Sequence, residues 1–245
     1  FDFITSHNVL AHTEHIQEIF LSIYNLLKKN AYFCFEIGYF KEVIKHNLFD
    51  TIYHEHLDYH HAKPLVRFLR KIGFSVIDLS TNNIQGGTLR LLLQKKETKK
   101  EIKKVKKFLE EEENFFKKVN LKNKFFNFEK ALLKLNSQIK KEIVKKKIIY
   151  AYGSPTKASL LLIKSKLNKG MIKNTFEDNQ LKCKKYIPGT DIKIINTKKI
   201  KINDNSTIII LAWNFFDEIK NRLKKQNIKN KELLIPLPKI KIIKL

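Results

Sequence analysis

Short apolar runs alternate with segments of helical period along this chain, and that alternation restricts the fold to an α/β architecture. Phe1–Thr5 reads as a strand, with His7–His12 as the loop at its C-terminal end. From Glu14 to Lys29, the residues Ile16, Ile19, Phe20, Ile23, Leu26 and Leu27 recur at helical spacing. Thr13 is placed to cap that helix, with Glu14 in its first turn. Tyr32–Ile37 is a buried strand ending at Gly38, with Glu36 near its C-terminal end. An irregular, histidine-rich segment follows, from about Lys41 to His61. Lys63–Ile72 reads as a helix with Gly73 as its C-cap, Phe74–Leu79 as a strand, and Thr88–Gln94 as another strand after a Gly86-Gly87 turn. This order matches the second half of a doubly wound α/β domain whose last two strands pair antiparallel. The glycine-rich loop that follows the first strand of such a sheet has no counterpart here.

Between Glu97 and Lys147 glycine and proline are almost absent and lysine and glutamate abound, which predicts two long helices with a break near Asn120–Asn123. Their apolar stripes are Ile102, Val105, Phe108 and Leu109, then Phe125, Leu132, Leu133, Ile139 and Ile143. A second α/β unit then begins. Ile148–Tyr152 reads as a strand, a Gly153–Lys157 turn opens a helix to about Leu167, and Asn174–Glu177 is a strand ending in acid. Ile192–Ile195 and Thr207–Ala212 read as strands, Phe215–Gln226 as a helix and Leu233–Ile235 as a last strand. The expected organisation is therefore residues 1–96, a helical connector over 97–147, and a smaller Rossmann-like domain over 148–245.

Composition narrows the function classes. The formal charge is +25, but the lysines are dispersed and arginine is rare, without the arginine clusters or interleaved aromatics of a nucleic-acid surface. The charge reads as a solubility contribution, and no nucleic-acid partner is expected. Cys34 and Cys183 are far apart and form no CxxC pair, so neither a disulfide framework nor a zinc ribbon is expected within the chain. No apolar run approaches 18 residues, so we expect a soluble, cytoplasmic, monomeric protein without a membrane partner. The chain opens without Met and directly in a strand, which predicts that its natural N-terminus is missing.

Of the eight histidines, four lie in Asp50–His61 and none follows it. With Tyr53, Glu55, Asp58 and Tyr59, this stretch concentrates groups that move protons near neutral pH. Three readings are open. A histidine can act as a base, oriented by a neighbouring carboxylate, while a tyrosine donates to a developing oxyanion. The same groups could bind a metal, although HExxH is absent and His56 and His60, spaced i,i+4, have no Glu at i+1. The third reading is a surface loop. His12, after the first strand, could face the same crevice. In Tyr152–Lys157 a strand, a glycine turn, small hydroxyl residues and a lysine lead into a helix, which fits either a phosphate site or a tight structural turn.

Taken together, the motifs resemble the sugar C-methyltransferase family, over nearly the whole chain. Phe49–His56 matches the family's most distinctive motif, and Asn8–His12 resembles its loop after the fourth strand. Gly86–Arg90 resembles its Gly-Gly-Ser-x-Arg turn, and Tyr152–Lys157 its Tyr-Gly-Ala-x-x-Lys loop. Glu177–Lys182, Pro188–Thr190 and Ala212–Asn214 through Ile219 follow in family order. The resemblance implies the C-terminal half of a class I methyltransferase Rossmann-like domain, followed by a second Rossmann-like α/β domain. It implies an S-adenosylmethionine-dependent enzyme that methylates a carbon of a nucleotide-linked keto-deoxysugar. His56 would be the base, with His12, Tyr53 and Glu55 around the reacting sugar, and Asn8 would contact the cofactor. Tyr152, Ser154, Lys157, Asn179, Lys182, Trp213 and Asn214 would hold the nucleotide diphosphate. A structural zinc is implied only in a further N-terminal domain, with no metal site in this chain. Gln85 stands where the family has His, Glu177 where it has Asp, and Ser154 and Pro155 where it has smaller residues.

Overall fold

In the computed structural model, which describes residues 1–48, 51–83, 86–96, 102–145, 147–228, 231–237 and 240–245, the chain forms two α/β units, Phe1–Leu121 and Lys122–Leu245. Phe49, Asp50 and Gln85, singled out by sequence, lie outside the described residues.

The first unit is built on β1 (Phe3–His7), β2 (Tyr32–Gly38), β3 (Ser75–Asn82) and β4 (Thr88–Gln94), arranged β1-β2-β4-β3. β1 and β2 run parallel, whereas β4 lies antiparallel to both β2 and β3. The expected antiparallel pair is present, and β4 inserts between β2 and β3. Both C-terminal ends of the parallel pair therefore open at one sheet edge, where ligands of open α/β sheets bind. α1 (Ile16–Leu26) and α3 (Ala62–Ile72) pack their apolar faces on the sheet around Phe20, whose ring makes edge contacts with Phe33, Phe35 and Phe68.

Three local readings need correction. α1 starts at Ile16 and ends at Leu26, short of Lys29, and its first-turn acid is Glu18 instead of Glu14. Thr13 acts one step earlier, its Oγ1 accepting the N–H of His15 at 3.0 Å. The segment between Lys41 and His61 is not irregular throughout, because α2 (Phe40–His46) opens it and buries Val43 and Ile44. Phe40, Val43 and Ile44 carry helical spacing, but the adjacent histidines drew the reading away from it. In the long helices α4 (Lys103–Lys118) and α5 (Leu121–Val144), the buried face of α5 is Phe128, Leu132, Leu135 and Ile139. Phe125 and Leu133 instead face outward. Residues in 97–147 contribute to both units, α4 packing on α3 and β3 in the first and α5 lying almost wholly in the second.

The second unit has the strand order β10-β9-β8-β5-β6-β7. β5 (Ile148–Tyr152), β6 (Thr175–Glu177), β7 (Ile194–Asn196), β8 (Ser206–Ile210) and β9 (Glu232–Ile235) are parallel to one another where they pair. β10 (Lys241–Lys244), which the sequence reading lacks, pairs antiparallel with β9. α6 (Thr156–Lys164) follows β5 and α7 (Phe216–Lys225) follows β8. Read from β7 to β9, the chain starts at a central strand, goes out one way and returns the other way. That reversal places a topological switch point between β5 and β8, as in Rossmann sheets. Gly153 closes this point at φ +88°, and a Cβ there would meet Ala212 Cβ at 2.7 Å.

Candidate active site

The loops after β1 and β2 meet at the first sheet's C-terminal edge. Asn8 leaves β1 in the left-handed region at φ 53°, its N–H bonded to Glu36 O at 2.9 Å, and the chain then makes a 3-10 turn over Leu10–His12. The segment 51–61 is tied to this turn by Leu57 N–H donating to Ala11 O at 2.9 Å. It is tied to β2's exit by Phe40 N–H donating to His60 O at 3.1 Å. Between them lies a pocket with about 60 Å³ of cavity volume, lined by Asn8, His12, Gly38, Thr51, His56, Asp58, Tyr59 and Thr88 among others. Gly87 also lines it, and a Cβ there would come within 2.6 Å of Glu42 Cβ.

The ring of His56 is held from several sides. Its Nδ1 lies 2.7 Å from the Thr51 carbonyl oxygen. A carbonyl only accepts, so Nδ1 carries the proton and the lone pair of the neutral ring is on Nε2. The His12 ring meets it edge-on at 4.9 Å between centroids, and the Tyr53 ring lies 4.5 Å away. Of the four residues expected around the reaction, His12 and Tyr53 thus each contact the His56 ring. Glu55 is exposed, its carboxylate 4.0 Å from His54 Nε2, and it is not among the pocket-lining residues. His61 instead packs on the rings of Phe40 and Phe116, and neither His60 nor His61 is among the pocket-lining residues. Burial pushes both below the ordinary histidine value, with Asp58 opposing for His60 and Glu112 opposing for His61. Among the described residues, no group of three or more His, Cys, Asp or Glu side chains is arranged to hold a metal ion.

A polar cluster that sequence reasoning left without a role supports the floor of this edge. Glu36 is buried and accepts from Arg90 Nε at 2.6 Å and Asn82 Nδ2 at 2.9 Å, with His7 Nδ1 at 3.3 Å. Burial alone would raise Glu36, but the hydrogen bonds from Arg90 and His7 outweigh it and hold the carboxyl below its usual range. Asn82 passes the order on, its Oδ1 accepting the hydroxyl of the pocket residue Thr88 at 2.7 Å. The available signal was a lone acid in an otherwise apolar strand.

The second unit's switch point forms a separate crevice lined by Tyr152, Ser154, Glu177, Asp178, Lys182 and Arg222 among others. Here most polar groups are already engaged. Gly153 N–H donates to Phe176 O at 2.7 Å, and Ser154 donates to Glu177 Oε2 from its N–H at 2.8 Å and its hydroxyl at 2.6 Å. Glu177 Oε1 takes the N–H groups of Asp178 and Asn179. The length of the glutamate lets its two oxygens serve both loops, and an anion already sits on the turn that the sequence reading offered to phosphate. Burial works to raise Glu177, but the N–H of Asn179 and the two donors of Ser154 bring it below the ordinary value. Asp178 accepts from Tyr152 Oη at 3.1 Å and Thr197 Oγ1 at 2.8 Å, and pairs with Arg222. Burial, with Asp178 alongside, pushes the Tyr152 hydroxyl up to about 12. Lys182 Nζ donates to Ser154 O at 3.0 Å, and Lys157 Nζ lies 4.3 Å above the Trp213 ring. Asn179 caps a short turn by accepting from Leu181 N–H, and Asn214 is exposed beside Trp213. No described helix is long and apolar enough to cross a membrane.

Two family models cover successive parts of the chain, meeting between residues 79 and 83, inside the first structural unit. A family model described as a methyltransferase domain matches residues 1–79. The C-methyltransferase NovU of Streptomyces niveus is 27% identical over 239 residues, an alignment covering 95% of this chain and 56% of that protein. The chain thus spans a little over half the length of that relative. A family model described as the C-methyltransferase C-terminal domain matches residues 83–238, more than half of the chain, and the chain therefore belongs to the C-methyltransferase family.

Proposed function

We propose that the protein is an S-adenosylmethionine-dependent C-methyltransferase acting on the carbon next to a ketone of a nucleotide-linked deoxysugar, with this chain supplying the base. The observation that carries this reading is the His56 ring, fixed through Nδ1–H on the Thr51 carbonyl at 2.7 Å beside the rings of His12 and Tyr53. A C–H bond beside a ketone is acidic enough for a positioned base near neutral pH. His56 Nε2 takes that proton, and the electron pair of the C–H bond passes into an enolate. Tyr53 or His12 donates to the enolate oxygen as its charge develops. Glu55, next to His56 in the chain, is the supporting carboxylate in this reading. Bound S-adenosylmethionine supplies the electrophilic methyl group that the carbanion takes up, with the sulfur as leaving group. Asn8 fits a contact to that cofactor, since it lines the same pocket as His12 and His56 at the end of β1.

In the second unit, Lys157 and Lys182 would face the diphosphate, and Tyr152, Ser154, Asn179, Trp213 and Asn214 would contact the rest of the nucleotide. The intracellular pools of nucleotide-linked sugars and cofactor place such a reaction in the cytoplasm. The test follows transfer of a labelled methyl group to a nucleotide-linked ketodeoxysugar by the full-length protein, together with deuterium uptake from solvent at the carbon next to the ketone. His56→Ala should lower turnover by about 10²–10⁴-fold and suppress the uptake equally. Turnover within about threefold of the parent, against that expectation for a general base, would remove His56 from the role.

A further inference from the structure

We infer that Tyr59 is a positioning residue for His56, acting through the Thr51 carbonyl. The inference rests on the reading of His56 as the base. A carbonyl oxygen has two lone pairs. That of Thr51 receives His56 Nδ1–H at 2.7 Å and Tyr59 Oη–H at 3.1 Å, so donors five and eight residues further on close the loop at one oxygen.

The oxygen is also fixed from behind. Thr51 donates to Leu48 O twice, from its N–H at 3.0 Å and from its hydroxyl at 2.8 Å, and Leu48 N–H in turn donates to Val43 O at 2.9 Å in α2. The Tyr59 ring is seated against Phe40 at 6.0 Å and meets the His56 ring edge-on at 6.3 Å. Burial raises the Tyr59 hydroxyl, so it remains a donor wherever a histidine base operates.

The consequence concerns the tautomer. A neutral imidazole carries its proton on either nitrogen, and the hydrogen bond made by one nitrogen selects which. A base needs the lone pair on the nitrogen that meets the substrate. A Thr51 carbonyl held in direction by the Tyr59 hydroxyl selects Nδ1–H throughout; a carbonyl released from it selects that form only in part. The residue thereby sets the fraction of His56 that is competent, without touching the proton that moves.

Tyr59→Phe removes one oxygen and keeps the ring. We would measure methyl-transfer kinetics of the full-length protein and the His56 tautomer from long-range proton–nitrogen NMR correlations, with thermal unfolding to confirm that the variant folds. The expected result is a fall in kcat of about tenfold with KM within about twofold, the scale of one misplaced supporting contact, and a His56 pattern shifted from Nδ1–H toward a mixture. An Nδ1–H pattern retained in the variant, whatever its rate, overturns the assignment. So does a mixed tautomer with unchanged kcat in a protein where His56→Ala is inactive. An active His56→Ala variant instead removes the base reading, and the tautomer measurement still decides whether Tyr59 positions the ring. Should Tyr59→Phe fail to fold, the wild-type spectrum decides, because an Nε2–H pattern for His56 contradicts the hydrogen bond on which the inference stands.

Discussion

At the first sheet's C-terminal edge the rings of His12 and Tyr53 each press on that of His56, whereas at the corresponding edge of the second sheet Glu177 and Asp178 are consumed by neighbouring donors. Both edges lie where the loops of parallel strands converge, so topology alone makes both candidate sites. The difference lies in what the polar groups do. The first edge keeps the His12 and His56 imidazoles in ring contact at a pocket. The second uses its acids as internal anions that brace two loops. An edge braced in this way can present a rigid surface to a ligand but has little free acid–base capacity, so the proposed function assigns chemistry to the first unit and binding to the second.

The largest test of that division compares His56→Ala with Tyr152→Phe in the full-length protein. The first should cost about 10²–10⁴-fold in kcat. The second removes one donor to Asp178 and should act on KM, by about tenfold or less, the scale of about 1 kcal/mol for a single hydrogen bond. Steady-state kinetics with varied nucleotide-sugar would break the division if Tyr152→Phe lowered kcat as far as His56→Ala.

Next in size is the buried acid beneath the first edge. Glu36→Ala deprives half-exposed Arg90 and Asn82 of their common acceptor, and Asn82 in turn accepts the Thr88 hydroxyl. Because Arg90 can turn to solvent, we expect a loss of about 2 kcal/mol, the range for a hydrogen-bonded charged group, and less than the full cost of an isolated buried charge. Chemical denaturation should register it as a lower midpoint, and an unchanged midpoint would mean the cluster contributes nothing to this edge.

The two edges also differed in how far sequence could read them. Alternating apolar runs were enough for the α/β class, because strand and helix periods are properties of neighbouring residues. The inserted position of β4 was hidden, since register against a strand more than 50 residues away depends on tertiary pairing, as in Glu36 opposite Arg90. β10 was hidden for a different reason, its Lys-Ile-Ile-Lys being too short and too polar at the ends to stand out. The histidine density around Tyr53 marked the first edge directly, and the structure adds the Thr51 carbonyl, a backbone group no side-chain motif can announce. At the second edge the turn after β5 was visible, but its amide was not free for a ligand, because the acid that binds it comes from another strand, at Glu177.

Acid should separate the units without any mutation, with an effect smaller than that of Glu36→Ala. All eight histidines lie in the first unit. His60 and His61 are held below their ordinary value of 6.5, chiefly by burial, so below that pH the unfolded chain binds more protons than the folded one. Their contribution is complete above about 6.5 and is lost as pH falls through the lower folded values. Glu177 in the second unit is depressed from 4.5, so its contribution persists until pH drops below that figure. Hydrogen exchange between pH 7 and 5 should show protection lost first within 1–121. Equal loss in both units would dissolve the distinction.

The smallest effects fall inside the second crevice, where burial should rank two partners of the same carboxylate. Thr197 is buried and gives Asp178 Oδ1 a hydrogen bond at 2.8 Å, while the Arg222–Asp178 pair is open to water on both sides, 47% and 39% exposed. An exposed pair gains little, because solvent screens the attraction and holding two long side chains costs entropy. Replacing the buried Thr197 hydroxyl by a methyl removes a hydrogen bond whose donor is shielded from water, so solvent screens it less than the ion pair. Thr197→Val should therefore destabilise by about 1 kcal/mol, and Arg222→Gln by roughly 0–0.5 kcal/mol, despite the formal charge it removes. The order should hold in low salt and widen in high salt, since only the ion pair is screened. If Arg222→Gln proved the more damaging at 0.5 M salt in thermal unfolding, the carboxylate would be held by charge and not by the hydrogen-bonded frame, and the second edge would have to be counted among the electrostatic sites alongside the first.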